Sequence, residues 1–202
     1  MGSTILDELV QVNRMPVLFI GSGISKRYLY GYPSWEELLE KSFAKVETDT
    51  FQYEKYIAEC KRNKMSNFET NVHLGTLIQK QFDDAFFDRK IKLSIGNSKN
   101  PSWVKRHISP YKMYLADFFK KQKLNRSPRL QEELVKFRAL KNKISAIITT
   151  NYDTFLEQEV FEKDFQVYVH QHELFSADSY NIAEIYKIHG SATDAESIII
   201  TE

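Results

Sequence analysis

"AIITTNYDTFLE", residues 146–157, carries two kinds of chemistry in one short stretch. Ala146, Ile147 and Ile148 form an apolar run of the kind that fills a strand inside a sheet. The run gives way at once to Thr149, Thr150, Asn151, Tyr152 and Asp153. A helix is predicted to follow over "TFLEQEVF", and its first turn needs one cap, which Asp153 supplies. Thr150 and Asn151 are then surplus. In α/β folds ligands sit outside the carboxyl ends of the strands, so surplus hydrogen-bonding groups at this strand end point to a ligand.

Two other strand ends have the same character. In "VLFIGSGIS", residues 17–25, Val17 to Ile20 are uninterruptedly apolar, which predicts a strand buried on both faces of a parallel sheet. The following Gly21-Ser22-Gly23 has two readings. One is a tight turn that requires glycine. The other is backbone held close to a phosphate or ribose, with N–H groups facing the anion. No helix is expected to start there at once; "KRYLYGYP" reads as a loop, and Ser34 with Glu37 forms a capping box for the helix "SWEELLEKSFAKV". Trp35 at its start is either a core anchor or a ligand contact. In "YKIHG", residues 186–190, His189 ends a strand and Gly190 permits a turn. Such a histidine is either structural or a general base suited to neutral pH.

Between these segments the chain reads as helical. "TFQYEKYIAECKRNK", "SNFETNVHLGTLIQKQFDDAFFDRKIKL", "SPYKMYLADFFKKQ" and "SPRLQEELVKFRALKN" have helical spacing, with a second capping box at Ser66 and Glu69 and Ser-Pro starts in the last two. Gly75 weakens its helix modestly. "GNSKNPSW" is a loop. "TILDELVQV" predicts a short first helix capped by Ser3 or Thr4. After Lys143 strands return as "SAIITT", "FQVYVH", "EIYKIHG" and "SIIIT". The fold class is therefore α/β: a Rossmann-like parallel sheet with a helical insertion, residues 47–143, after the first strand–helix unit. The chain reads as one domain, 1–202. A doubly wound dinucleotide sheet normally has more strands, so the expectation is that the C-terminal part of the domain follows residue 202.

Composition excludes several classes. The 202 residues are 42% hydrophobic and 27% charged, with a formal net charge of +1. A core of useful size needs no disulfide staples. The single cysteine, Cys60, rules out an internal disulfide and a paired-cysteine zinc site. His170 and His172 lack a third ligand, so no metal is expected. The basic stretch Lys120–Lys143 is interrupted by Glu132 and Glu133 and has helical apolar spacing. It reads as a solvated helix face rather than a nucleic-acid surface. No apolar segment suits a signal peptide or membrane span, which leads to an expectation of a cytoplasmic protein.

Taken together and in order, "GSGIS…GYPSW", "TTNYD" and "KIHGS" resemble the sirtuin-like NAD-binding family, and more closely the bacterial SIR2-like domains of anti-phage defence proteins. The likeness covers roughly residues 17–35 and 145–202. It implies NAD held across the strand ends as a substrate. Gly21, Ser22, Gly23, Ile24 and Ser25 match the turn that cradles the phosphates. Tyr32, Pro33, Ser34 and Trp35 match the loop that closes over the nicotinamide side, although sirtuin deacylases carry aspartate where Ser34 stands and arginine where Glu36 stands. Thr150, Asn151 and Asp153 match the signature near the nicotinamide ribose, and His189 matches the catalytic histidine. The four-cysteine zinc module of the deacylases is missing, so no zinc is expected.

The resemblance implies NAD⁺ hydrolysis, with Asn151 holding a ribose hydroxyl or the attacking water, His189 taking a proton, and Asp153 fixing the carboxamide or local charge. It also implies a homo-oligomer or a larger defence complex, with a C-terminal domain or partner subunit. The alternatives are NAD-dependent protein deacylation and a non-catalytic module that senses NAD or ADP-ribose.

Overall fold

In the computed structural model, four short strands run parallel in the order β1-β2-β4-β3. They are β1 (Val17–Ile20), β2 (Ala146–Thr149), β3 (Gln166–Tyr168) and β4 (Glu184–Lys187). The structure describes residues 5–12, 14–47, 49–93, 95, 102–162, 164–170, 172–173 and 183–200. Ser3 and Thr4, most of the "GNSKNPSW" loop and Thr201 lie outside these. The chain between β1 and β2 is helical: α2 (Ser22–Tyr28), α3 (Trp35–Phe43), α4 (Thr50–Arg62), α5 (Asn67–Phe87), α6 (Ser102–Lys105), α7 (Pro110–Lys120) and α8 (Pro128–Arg138). A first helix, α1 (Ile5–Gln11), precedes β1, and a π-type helical turn, Leu156–Val160, follows β2. The architecture is the expected α/β fold with an all-parallel sheet.

Register explains which side of the sheet is buried. Ile20 pairs with Thr149, and Ile147 with both Leu18 and Ile185. Side chains alternate along a strand, so Leu18, Ile20, Ile147, Thr149, Ile185 and Lys187 share one face. That face meets the helices: Ile147 and Ile185 lie in one cluster with Leu39, Leu115 and Leu134. The opposite face is less covered at its β1 edge. Val17 is 53% and Phe19 is 68% exposed, so β1 is not buried on both faces. It is the outer strand, and among the described residues only β2 pairs with it.

Two further expectations change. The helix after β1 starts at once, with Gly21 as its N-cap residue and Ser22 as its first turn; Lys26, Arg27 and Tyr28 belong to it rather than to a loop. The described part of the "SIIIT" run, residues 197–200, forms no strand: Ser197 ends a 3-10 turn, and 198–200 have no ladder partner. Its backbone bonds go elsewhere. Ile199 N donates to His189 O at 3.0 Å, and Tyr152 Oη donates to Ile199 O at 2.6 Å. Ile200 lies against α5, where a Cβ on Gly75 would stand 3.2 Å from its carbonyl oxygen. The glycine that looks like a small helix defect is what lets these two backbones approach.

Gly190 is constrained more severely. It has φ +90°, and a Cβ there would sit 2.2 Å from Ser197 O. Both strain and collision oppose any side chain. Gly190→Ala is expected to cost roughly 3 kcal/mol or more, read as a lowered thermal midpoint. An unchanged midpoint would show that this turn is not folded as described.

Candidate functional site

The ends of β1, β2 and β4 are adjacent, because those three strands are neighbours in the sheet. Each delivers one of the polar segments to the same cavity of about 470 Å³, a size within the range of small-molecule sites. Ser22 comes from the end of β1, Thr150, Asn151 and Tyr152 from β2, and His189 from β4. Tyr32, Pro33, Ser34 and Trp35 form a further wall. Segments more than a hundred residues apart in sequence are thus brought together by strand order alone.

The loop wall is set locally. Ser34 Oγ accepts from Glu37 N at 3.2 Å, and Glu37 Oε2 accepts from Ser34 N at 2.6 Å. This reciprocal cap fixes the start of α3 and therefore Trp35. The indole packs at a ring-centroid distance of 6.4 Å from Tyr152, which in turn lies 5.3 Å from Phe119. Tyr32 packs on Phe119 at 5.5 Å. Trp35 therefore anchors on the protein through Tyr152 and also lines the cavity.

Asn151 joins two strand ends. It is 4% exposed, and its Nδ2 donates to Gly21 O at 3.1 Å and to Ser25 Oγ at 2.9 Å. A carbonyl oxygen only accepts, so the nitrogen must be the atom facing Gly21. Asn151 N also donates to Thr149 Oγ1 at 3.1 Å, which gives the buried threonine a local structural role.

Gly21, Gly23, Ile24 and Ser25 are not in the cavity wall; Gly21 and Ser25 bear on it only through Asn151, whose amide they hold. A Cβ on Gly21 or Gly23 would meet nothing within 4 Å, and neither has positive φ. The tight-turn reading therefore has no steric basis. What these glycines provide is open space beside backbone.

His189 is exposed, and its imidazole makes no hydrogen bond to the described residues. Enough protein surrounds the ring that loss of water lowers its pKa, because burial penalises the imidazolium. A neutral ring with a free nitrogen is the state that accepts a proton.

Asp153 does not reach the wall. It is 3% exposed, and its Oδ1 accepts from Phe155 N at 3.0 Å; this steadies the entry to the turn Leu156–Val160, but the N-cap residue there is Phe155 and it has no side-chain cap bond, so Asp153 is not the N-cap expected of it. Its backbone carbonyl accepts from Lys187 Nζ, which also donates to Glu157 Oε1 at 2.8 Å. Burial raises the Glu157 carboxyl and the nearby ammonium offsets part of that. Burial, with the Asp153 charge second, keeps the Tyr32 hydroxyl well above its ordinary range. Asp153, Glu157 and Lys187 thus make a buried charged group at the ends of β2 and β4.

Several wall residues lie outside the three motifs. Phe68, Asn71 and Val72 come from the first turns of α5, and Ile199 and Ile200 from the segment after β4. The sequence signal for the first group is a stripe, Phe68-Asn71-Val72-Gly75, at i, i+3, i+4 and i+7. It runs beside the core stripe Leu74, Ile78, Phe82 and Ala85.

Among the described residues, no group of three or more His, Cys, Asp or Glu side chains is placed to hold a metal ion. His170 Nε2 instead pairs with Asp194 Oδ2 at 2.8 Å. No described helix is long and apolar enough to cross a membrane.

Residues 145–202, which carry the second and third strand ends, match the family model described as SIR2-like domain. No curated protein matches the chain. The match supports a SIR2-like domain in this protein and points to an NAD-related function, since SIR2-like domains bind NAD.

Proposed function

We propose that this protein hydrolyses NAD⁺ to nicotinamide and ADP-ribose, and that it acts in the bacterial cytoplasm as an anti-phage defence by depleting NAD⁺. The observation that carries the reading is the convergence of Ser22, Asn151 and His189, from three separate strand ends, on one cavity. The substrate's pyridinium is already cationic. When the bond from ribose C1′ to the ring nitrogen breaks, its electron pair neutralises the leaving group, and no acid is needed. The barrier is the oxocarbenium-like sugar left behind. Fixed dipoles and a positioned water lower it.

Asn151 holds its amide nitrogen toward Gly21 and Ser25, which leaves its carbonyl oxygen to position a ribose hydroxyl or the water. His189 takes the proton as the water oxygen bonds to C1′. Trp35, Tyr32 and Pro33 keep bulk water from the reacting centre. Asp153 acts indirectly, holding the helical turn and the Tyr32 side of the wall. Restraint of the activity within an oligomer or a defence complex is part of the same proposal.

The test is incubation of the purified protein with NAD⁺, with and without an acetyl-lysine peptide, and chromatography of the products. Equimolar nicotinamide and ADP-ribose without peptide is the expected result. Nicotinamide release only with peptide would replace this reading with deacylation. Binding of NAD⁺ with no turnover in either mixture would replace it with a sensing module.

A further inference from the structure

We infer that the first turns of α5 are the part of this site that recognises a planar ring bearing an NH₂ donor, with Phe68 as the stacking surface and Asn71 as the hydrogen-bond acceptor. The inference rests on the cavity being an NAD⁺ site. It assigns a substrate-reading role to the helical insertion, which lies outside the three strand-end motifs and outside residues 145–202.

Phe68 is the starting point. It lines the cavity yet is 70% exposed. A large aromatic side chain at a cavity wall with so little of its surface covered is unexplained by packing within the protein. A flat ligand ring would cover it, and ring-on-ring contact adds stabilisation beyond area burial. Trp35 and Pro33 belong to the same cavity wall, so the ring has apolar neighbours besides Phe68.

Asn71 supplies direction. Its Nδ2 donates to Glu36 Oε1 at 3.3 Å. A carboxylate only accepts, so this contact fixes the amide orientation. The nitrogen is committed to Glu36, and Oδ1 is turned away from it as an acceptor in a residue that lines the cavity. Glu36 stays ionised, because its own backbone N–H and the Asn71 amide hold its carboxyl below the usual range. The acceptor is therefore held at working pH.

The platform is rigid. Ser66 Oγ accepts from Glu69 N at 3.3 Å and Glu69 Oε2 accepts from Ser66 N at 2.7 Å, so the first turn of α5 is capped from both sides. One turn beyond Val72, Gly75 presses on Ile200, which is itself part of the cavity wall. Phe68, Asn71, Val72 and Gly75 thus form one face directed at the site and its rim.

NAD⁺ offers two rings of this chemistry, nicotinamide with its carboxamide NH₂ and adenine with its 6-amino group. Two analogues separate them. Nicotinic acid adenine dinucleotide replaces the first donor with an acceptor, and nicotinamide hypoxanthine dinucleotide replaces the second. Calorimetric titration of the native protein, Phe68→Ala, Phe68→Trp and Asn71→Leu with all three dinucleotides, alongside NAD⁺ turnover, is the experiment.

The native protein is expected to bind one analogue about tenfold or more weakly than NAD⁺. Asn71→Leu is expected to erase that difference. Phe68→Ala is expected to weaken NAD⁺ binding about tenfold, and Phe68→Trp, which keeps a stacking face, to restore it, a rescue that a merely structural role would not give. Equal binding of all three dinucleotides by the native protein, or unchanged NAD⁺ affinity in folded Phe68→Ala, would overturn the inference and leave the NADase reading standing. Failure of the native protein to bind NAD⁺ at all would overturn both.

Discussion

His189→Ala is expected to slow NAD⁺ cleavage by about two to four orders of magnitude while barely moving the thermal midpoint. The two halves of that expectation come from one observation. The imidazole lines the cavity but forms no hydrogen bond to the described residues, so its removal takes away a proton acceptor and little else. The backbone at this position stays pinned, since the bond from Ile199 N to His189 O does not involve the side chain.

Asn151→Ala is a less clean test, because its amide also ties β1 to β2, and leaving Gly21 O and Ser25 Oγ without their donor costs about 1–3 kcal/mol. Loss of activity in that variant would mix chemistry with a loosened fold.

The same histidine sets the pH dependence. Burial places its pKa below the ordinary 6.5, so the neutral base is the main form at pH 7. Turnover is expected to be level near neutrality and to fall as pH drops through a value below 6.5. Stability follows the same sign. A depressed histidine pKa means that the unfolded chain binds the proton more readily, so the contribution is lost as pH falls through the folded value. An acid limb above the ordinary histidine value, or full turnover by His189→Ala, would remove His189 from the proposed role.

Lys187→Met is expected to cost about 3–5 kcal/mol of stability, a fall of roughly 6–20 °C in thermal midpoint for a domain of this size. Lys187 is 2% exposed, and its ammonium serves Glu157 and the Asp153 carbonyl together. Removing the cation while keeping the apolar bulk strands an uncompensated carboxylate among buried groups. Glu157 Oε2 and Asp153 Oδ2 already lack hydrogen-bond partners among the described residues, so nothing nearby takes over.

Two controls distinguish this from general damage. Adding Glu157→Gln to Lys187→Met is expected to recover much of the loss, since the stranded charge is gone. The deficit of Lys187→Met is also expected to shrink as pH falls and Glu157 takes up a proton. A single variant as stable as the native protein would show that the pair is not buried as described.

How far the residues announced this arrangement depends on the distance over which each feature acts. The caps at Ser34–Glu37 and Ser66–Glu69 are written within four positions, and both form. The strand ends at Gly21, Thr150 and His189 were legible because an apolar run that stops in polar residues is a local signal. The family resemblance added a common ligand, and strand order then brought the segments together. The uncovered side of β1 was not legible. Val17 and Phe19 are as apolar as Leu18 and Ile20, and only the strand's place at the edge of the sheet leaves them exposed.

The "SIIIT" run misled for a related reason. Its composition is that of a strand, but its backbone partners are His189 and the Tyr152 hydroxyl, and no local pattern encodes those. Phe68 and Asn71 enter the cavity wall through the packing of α5 beside α3, a contact between segments that no short motif records. Gly75 is the clearest case. Its helix would read better with alanine, and its cause is a carbonyl oxygen 125 positions further along the chain, at Ile200.

The most direct test of the central claim is a crystal structure of the protein with ADP-ribose. The account predicts the ligand in the cavity bounded by Ser22, Asn151 and His189, with the free ribose end toward His189 and a ring against Phe68 if α5 reads adenine. Binding at any other place on the molecule, or no binding by folded protein at millimolar ADP-ribose, would contradict it.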